Sequence, residues 1–209
     1  MIATMNPNPQ AEKRRLRRTL VEQIGYLPLE QRSAQERTLI ESVPRLPGYH
    51  QAKTVLLYVS AFPEEIQTRI LLEEALANGK RLVCPRVDRA AGMLRLFLVE
   101  DLNADLQPGT LRIPEPAGHC LEIEPAAVDW VLVPGIGFDS RGFRLGRGAG
   151  HYDRLLPRLR PTVPRWALAF ECQWMEALPV ESHDVPLDGV VFPHRRVVRN
   201  EVDSGPPPV

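Results

Sequence analysis

Thr54-Val55-Leu56-Leu57-Tyr58-Val59, then Thr68-Arg69-Ile70-Leu71-Leu72-Glu73-Glu74-Ala75-Leu76-Ala77-Asn78-Gly79, then Arg81-Leu82-Val83-Cys84 is the stretch from which the fold class is read. The first segment is a short unbroken apolar run, the pattern of a strand buried on both faces. In the second, Leu71, Leu72, Ala75 and Leu76 recur with helical spacing, and Gly79 supplies the residue type that best adopts a left-handed C-cap. The third is another short apolar run. Strand, helix and strand at this spacing make a βαβ unit, which implies a parallel pair of strands.

Outward from this unit the same alternation continues. Met93 to Val99 alternates apolar and polar and reads as an antiparallel addition, while Trp130 to Val133, Trp166 to Phe170 and the weaker Val190 to Phe192 read as further strands. Upstream, Ala11 to Ile24 reads as a helix with Leu16, Leu20 and Ile24 on one face, stopped by Gly25 and Pro28. A second helix is expected from Ser33, where Ser33 and Glu36 have capping-box spacing, to Pro44. The expected architecture is α/β: a layered single domain over residues 11–200 with a mixed, mainly parallel sheet flanked by helices. Residues 1–10 and 201–209 are Pro-rich and poor in large apolar groups, so mobile tails are expected there.

Composition agrees with one compact, soluble domain. The chain has 209 residues, 44% of them apolar, and its 26 Lys and Arg balance 26 Asp and Glu. A neutral molecule is not drawn by its overall field to nucleic acid or an anionic membrane, so anion binding must come from local clusters. No apolar run approaches the ~18 residues of a membrane span, and the first residues lack the apolar block of a signal peptide, so a cytoplasmic location is expected. Cys84, Cys120 and Cys172 are far apart and form no Cys-x-x-Cys pair, which argues against a zinc clip or a structural disulfide.

In open α/β sheets ligands bind beyond the carboxyl ends of the strands. The segment after Trp130 to Val133 is Pro134-Gly-Ile-Gly-Phe-Asp-Ser-Arg-Gly-Phe-Arg-Leu-Gly-Arg-Gly-Ala-Gly-His-Tyr-Asp153, which holds six of the 14 glycines of the chain. Alternating Gly146, Gly148 and Gly150 leave successive backbone amides uncovered, able to form a concave nest for phosphate oxygens. Arg144 and Arg147 add full positive charge, and a helix expected from about Tyr152 points its positive end at the loop. The simpler alternative is a tight surface turn. Two nucleotide fingerprints are absent, because Gly-x-Gly-x-x-Gly needs glycine at His151 and a phosphate-binding Walker loop needs Gly-Lys-Ser/Thr.

Asp153 reads either as a helix cap or as a magnesium ligand, since magnesium is commonly held by one or two carboxylates together with phosphate oxygens. Asp184, in Pro179-Val-Glu-Ser-His-Asp184, is a candidate second acid, and Asp139 reads as a turn residue. Lys13-Arg14-Arg15-Leu16-Arg17-Arg18 is the third charged element. Lys13 and Arg17 share a helical face from which Arg14 is rotated away. Such a run can be a solvated surface, a nucleic-acid contact or, in a neutral protein with three Lys against 23 Arg, a site for a small polyanion.

These segments together resemble the 5-formyltetrahydrofolate cyclo-ligase family. The block Val133-Pro-Gly-Ile-Gly-Phe-Asp139 followed by Gly142-Phe-Arg-Leu-Gly-Arg-Gly-Ala-Gly-His-Tyr-Asp-Arg154 is similar to the family's most characteristic segment. Lys13-x-x-x-Arg17 is similar to its ATP-contacting helix, and Ala169-Phe-Glu-Cys-Gln173 with Leu178-Pro-Val-Glu-Ser-His-Asp184 follows its order. The resemblance implies an ATP- and magnesium-dependent cyclisation of 5-formyltetrahydrofolate to 5,10-methenyltetrahydrofolate, with ADP and phosphate released. An N-formyl amide is a poor electrophile, so phosphorylation of its oxygen must precede attack by folate nitrogen 10.

Carried over by position, Lys13, Arg17 and Arg144, Leu145, Gly146, Arg147, Gly148, Ala149, Gly150, His151 and Tyr152 would hold ATP. Arg147, Gly148, Gly150 and His151 would border the folate, with Arg147 and Tyr152 nearest the chemistry, and Asp153 with Asp184 would bind Mg2+. His151 stands where the family often has a tyrosine. Ser60 to Thr68 is about one residue longer than the family pattern and places Gln67 where an acid usually meets the pterin, leaving Gln67 or Glu65 for that contact. The implied partners are a reduced folate and ATP, without nucleic acid or membrane, and the expected state is a monomer. The competing readings are another ATP-dependent ligase or kinase with the same phosphate cradle, and a non-catalytic regulator or RNA-binding protein using the basic helix.

Overall fold

The computed structural model describes residues 8–110, 113–199 and 201–203. In chain order its principal elements are α1 (Pro9–Gly25), α2 (Leu29–Ser42), β1 (Thr54–Leu56), α3 (Arg69–Ala77), β2 (Arg81–Asp88), β3 (Met93–Val99), β4 (Leu106–Pro108), β5 (Pro114–Pro116), β6 (Glu122–Ile123) and β7 (Trp130–Leu132). There follow β8 (Gly137–Asp139), β9 (Arg144–Leu145), α4 (His151–Leu155), β10 (Arg165–Leu168), β11 (Trp174–Met175), β12 (Gly189–Phe192), β13 (Arg195–Val198) and β14 (Glu201–Asp203).

The main sheet has nine strands in the order β14-β13-β12-β10-β7-β1-β2-β3-β6. Its centre, β12-β10-β7-β1-β2, is parallel throughout. Antiparallel strands β13 and β14 extend one edge, and β3 and β6 the other. The βαβ reading and the mixed, mainly parallel sheet are therefore both present. Strand alternation divides two buried cores between the faces: Val55, Leu57, Leu82, Cys84, Trp130, Leu132, Trp166 and Leu168 pack with residues of α2 and α3. Leu56, Val83, Val131, Val133, Ala167 and Ala169 pack with Leu155 and Leu156 at the end of α4. Covering both faces is what permits the strands to be apolar at successive positions.

Regular structure passes both expected boundaries. Asn8 caps α1 by accepting from the Gln10 amide at 3.0 Å, with Pro9 in the first turn, so the helix starts before Ala11. Strand β14 occupies 201–203, where a tail was expected; residues 1–7 and 204–209 lie outside the described residues. α2 also starts early. Pro28 precedes it without any side-chain cap, so Ser33 lies inside the helix and the Ser33/Glu36 spacing is not a capping box. Proline suits a helix entrance because it has no N–H to leave unsatisfied. Glu36 instead pairs with Arg32 at 3.6 Å and accepts from the Gln67 amide at 3.2 Å.

The glycine-rich segment is more regular than a simple turn. Strands β8 and β9 form an antiparallel hairpin, and β11 joins β8 in parallel. The hairpin docks on α1 through a third apolar cluster, Leu16, Leu20, Ile136, Leu145 and Leu178. Gly137 allows this close approach, because a Cβ there would lie 2.6 Å from a Leu20 methyl carbon. No helix among the described residues is long and apolar enough to cross a membrane, and all three cysteines are free.

Candidate active site

A cavity of about 570 Å³ opens where α1, the 134–153 segment, the turn after β1, the β2–β3 hairpin, β5 and the 181–184 loop meet. That volume is within the range of small-molecule sites. Its wall includes Lys13, Arg17 and Arg144 through Asp153, as well as Glu65 and Asp184, so the structure gathers residues far apart in sequence into one place.

The Leu16 and Leu20 contacts fix α1 so that Lys13 and Arg17 face the cavity. The Lys13 ammonium is buried and bridges Glu181 at 2.9 Å and Asp184 at 2.6 Å. Burial alone would lower the Lys13 pKa, but the hydrogen bonds that Lys13 donates to Asp184 and Glu181 outweigh it and raise the value above the ordinary 10.5. The same pairing lowers the acids: at Asp184 burial works in the opposite direction, and Lys13 together with the Glu181 backbone amide prevails. Arg17 donates from Nε to the Gly146 carbonyl at 2.7 Å, tying the helix to the loop. Arg14 also lines the cavity while remaining exposed, so the four-residue spacing separates a buried wall from a rim rather than inside from outside.

Within the loop, Gly148 has φ +106°, a conformation that side-chain-bearing residues rarely adopt, and a Cβ there would lie 3.4 Å from the Arg17 guanidinium carbon. α4 begins at His151 and has only five residues, so little helix dipole stands behind the loop and its amides and arginines carry the positive potential. Arg144 is not a free charge. It is nearly buried, its Nη1 is 2.9 Å from Asp153, and its Nε is buried without a hydrogen-bond partner among the described residues. Asp153 is therefore neither a side-chain helix cap nor unpaired, because Gly150 is the N-cap of α4.

Arg147 crosses to the β1 side of the cavity. It stacks on Phe62 at 3.4 Å from the ring centroid and pairs with Glu64 at 2.6 Å and Glu65 at 3.5 Å. Sequence reasoning missed Tyr58, Phe62, Glu64 and Glu181 on the wall; the only local signal was two adjacent acids facing an arginine-rich loop. The Tyr152 hydroxyl is buried and has no hydrogen-bond partner among the described residues. Burial, reinforced by the Glu65 carboxylate, pushes its pKa far above the ordinary 10.0, so it stays protonated and can donate. His151 is on the wall with Nδ1 3.3 Å from the Gly92 carbonyl.

Gln67 is not brought to the cavity. Thr68 closes the preceding turn, donating to the Tyr58 carbonyl at 2.8 Å and exchanging hydrogen bonds with Ser60. This leaves Gln67 exposed, its side chain held by Ser60 Oγ and the Glu65 carbonyl. Glu65 does reach the wall, although its Oε2 already accepts from the Ala61 and Phe62 amides.

For a magnesium ion the donors present are suitable in kind. Asp153 and Asp184 both line the cavity, and each engages one carboxylate oxygen with a cation, Asp153 Oδ1 with Arg144 and Asp184 Oδ2 with Lys13. A cation that also uses phosphate oxygens and water needs no more than two such ligands. A different group, Asp105, His119 and Cys120, has ligand atoms within 4.8 Å of one another. There Asp105 is engaged by His119 and by the Glu100 and Asp101 amides, a surface hydrogen-bond cluster outside the cavity.

Comparisons with known proteins identify the family to which the fold belongs. A family model described as the 5-formyltetrahydrofolate cyclo-ligase family matches residues 9–193. The 5-formyltetrahydrofolate cyclo-ligase of Mus musculus is 31% identical over 86% of this chain and 93% of its own. That of Escherichia coli (strain K12) is 35% identical over 71% of this chain and 82% of its own. The NMR structure of Aquifex aeolicus 5,10-methenyltetrahydrofolate synthetase superposes with a TM-score of 0.79 at 31% identity, covering 92% of this chain and 95% of that one. The match spans α1, the glycine-rich hairpin and the 181–184 loop together, the elements that build the cavity, and on that ground the chain belongs to the 5-formyltetrahydrofolate cyclo-ligase family.

Proposed function

We propose that this chain closes 5-formyltetrahydrofolate to 5,10-methenyltetrahydrofolate at the expense of ATP, and that the reaction takes place in the cavity between α1 and the glycine-rich hairpin. The observation that carries this reading is the convergence of Lys13, Arg17 and the open 146–150 backbone on one cavity that also has an apolar wall of Val87, Leu94 and Pro114. The first set suits a triphosphate, the second a flat ring.

In this reading the formyl oxygen attacks the γ-phosphorus of ATP and ADP leaves. Nitrogen 10 then adds to the activated carbon, its proton is lost, and expulsion of phosphate leaves the methenyl group. No side-chain nucleophile is required; the protein positions the reactants and neutralises charge. Gly146 to Gly150 present amides to the phosphates, and Lys13, Arg17 and Arg147 supply positive charge. Asp153 and Asp184 would hold Mg2+, which lowers the charge of the transferring phosphoryl group when bound. Tyr152, with its protonated and unpartnered hydroxyl, donates to an oxygen of the substrate. Glu65 rather than Gln67 is the acid of this turn that can meet the pterin. The protein acts in this reading as a cytoplasmic monomer with no nucleic-acid or membrane partner.

The direct test is the absorbance of methenyltetrahydrofolate after mixing protein, ATP, Mg2+ and 5-formyltetrahydrofolate. The signal should require all four, whereas ATP turnover with a different acceptor and none with the folate would favour another ligase or kinase. A second test isolates the cradle. Among the described residues a Cβ at Gly146 meets nothing within 4 Å, so Gly146→Ala should melt like the wild type. Its methyl would nonetheless cover amides meant for phosphate, and loss of one charge-assisted hydrogen bond, ~1.5–3 kcal/mol, should raise the KM for ATP about tenfold or more. An unchanged KM would place the phosphates elsewhere.

A further inference from the structure

Several carboxylates line the cavity, and five of them are paired with a cation. Glu64 and Glu65 face Arg147, Asp153 faces Arg144, and Glu181 and Asp184 share Lys13. Glu115 is different. It lies on β5, is only 6% exposed, and forms part of the cavity wall beside Val87, Leu94, Ile113 and Pro114. Among the described residues its carboxylate has a single hydrogen-bond donor, the Val87 amide at 3.4 Å, and no cation. It is also held in place: Oε2 packs over Gly109, where even a Cβ would come within 2.2 Å, and Gly109 is fixed by its amide donating to the Ile113 carbonyl at 2.8 Å.

A buried carboxylate with one long hydrogen bond is costly unless something supplies donors to it. The nearby arginine does not, because Arg86 spends its Nη1 on the Pro116 and Ala117 carbonyls and stacks on Phe97. Since the described residues supply Glu115 with no cation, its donors are left to what enters the cavity. Of the two reactants, the pterin ring carries adjacent ring N–H and exocyclic NH₂ donors on one edge, a guanidine-like pair that a carboxylate accepts in bidentate fashion. The other end of the folate bears carboxylates, which Glu115 repels. Adenine offers a donor beside an acceptor on its six-membered ring and matches a carboxylate poorly.

We propose that Glu115 anchors the 2-amino edge of the pterin and thereby sets the direction in which the folate enters; this rests on the folate reading above. Sequence reasoning placed the pterin contact at Gln67 or Glu65 and gave Glu115 no role.

The test uses the full-length protein and two substrates, 5-formyltetrahydrofolate and its 2-desamino-2-methyl analogue. Glu115→Gln keeps the shape but turns an NH₂ toward the donors, so its KM for 5-formyltetrahydrofolate should rise about tenfold or more while the KM for ATP does not move. The wild type should show a comparable rise for the analogue, and Glu115→Gln should show little additional loss with it, a coupling that a merely structural role would not produce. An unchanged folate KM in Glu115→Gln, or an analogue penalty as large in the variant as in the wild type, overturns the assignment. If the variant fails to fold, the wild type decides alone: an analogue that binds as well as the parent overturns it. Absence of any turnover of 5-formyltetrahydrofolate by the wild type would instead show that the folate reading itself has failed.

Discussion

Lys13→Met is expected to lower ATP-dependent turnover by about two orders of magnitude or more. The ammonium is the shared partner of Glu181 and Asp184 on the cavity wall, and each charge-assisted hydrogen bond is worth ~1.5–3 kcal/mol, so losing two, ~3–6 kcal/mol, corresponds to roughly 10²–10⁴ in an equilibrium or a rate. Methionine preserves the length and packing of the stem but leaves two acids facing each other beside the phosphate cradle, where they repel ATP instead of balancing it. Arg14→Ala should be milder, because Arg14 is an exposed rim residue whose charge is screened by solvent.

The same cluster gives stability a pH dependence with two ends. Asp184 and Glu181 are depressed below the ordinary 3.8 and 4.5, so their contribution is complete above those values and is lost as pH falls through the lower values of the folded protein. Lys13 is raised above 10.5, so its contribution is complete below 10.5 and is lost as pH rises through the raised value. Thermal melts from acid to alkaline pH should show Lys13→Met losing stability relative to the wild type between about 4.5 and 10.5, with the difference narrowing outside that window. Wild-type ATP dependence in Lys13→Met would remove α1 from the phosphate site.

The βαβ unit was legible because strands buried on both faces must be apolar at successive positions, and Val55, Leu56 and Leu57 satisfy both cores at once. The glycine-rich loop was legible as a site because glycine spacing and arginine are local properties. Partners were not. Lys13 meets Glu181 and Asp184 across 168 and 171 positions, and no spacing rule connects them. Arg144 read as a free phosphate ligand, whereas the hairpin turns it toward Asp153. The turn after β1 misled for a similar reason. The resemblance to the family pattern put Gln67, or else Glu65, at the pterin, and the Thr68 and Ser60 hydrogen bonds close the turn so that Glu65 faces in and Gln67 faces out. The early start of α2 was hidden by a plausible capping pair, since Ser33 and Glu36 satisfy the spacing without being at a helix end.

Asp139→Asn should be the most destabilising of these conservative changes, although Asp139 reads from the sequence as an ordinary turn residue. Asp139 is fully buried, and both oxygens are occupied. Oδ1 accepts from the Arg141 amide at 3.0 Å and the Phe143 amide at 3.1 Å; Oδ2 accepts from Arg141 Nη2 at 2.6 Å, Arg141 Nε at 3.0 Å and the Leu178 amide at 3.0 Å. An asparagine offers one acceptor, so in either orientation its NH₂ meets N–H donors at sub-bonding distance and cannot be satisfied. Breaking a buried ion pair costs ~3–5 kcal/mol, and because Arg141 is 48% exposed the lower end, ~3 kcal/mol, is the expected loss. For a domain of this size that is a fall in Tm of about 6–12 °C. Asp153→Asn, with Arg144 as its one partner among the described residues, should melt closer to the wild type yet lose turnover at limiting Mg2+, so the two variants separate stability from activity. The β8–β9 hairpin links these effects: Asp139 ends β8, Arg144 begins β9, and Leu145 packs on α1. Loosening the Asp139 turn should therefore also raise the KM for ATP at temperatures where the variant is still folded. A Tm within 2 °C or so of the wild type would mean that the buried turn tolerates a lost charge, and the hairpin would then have to be held mainly by its apolar contact with α1.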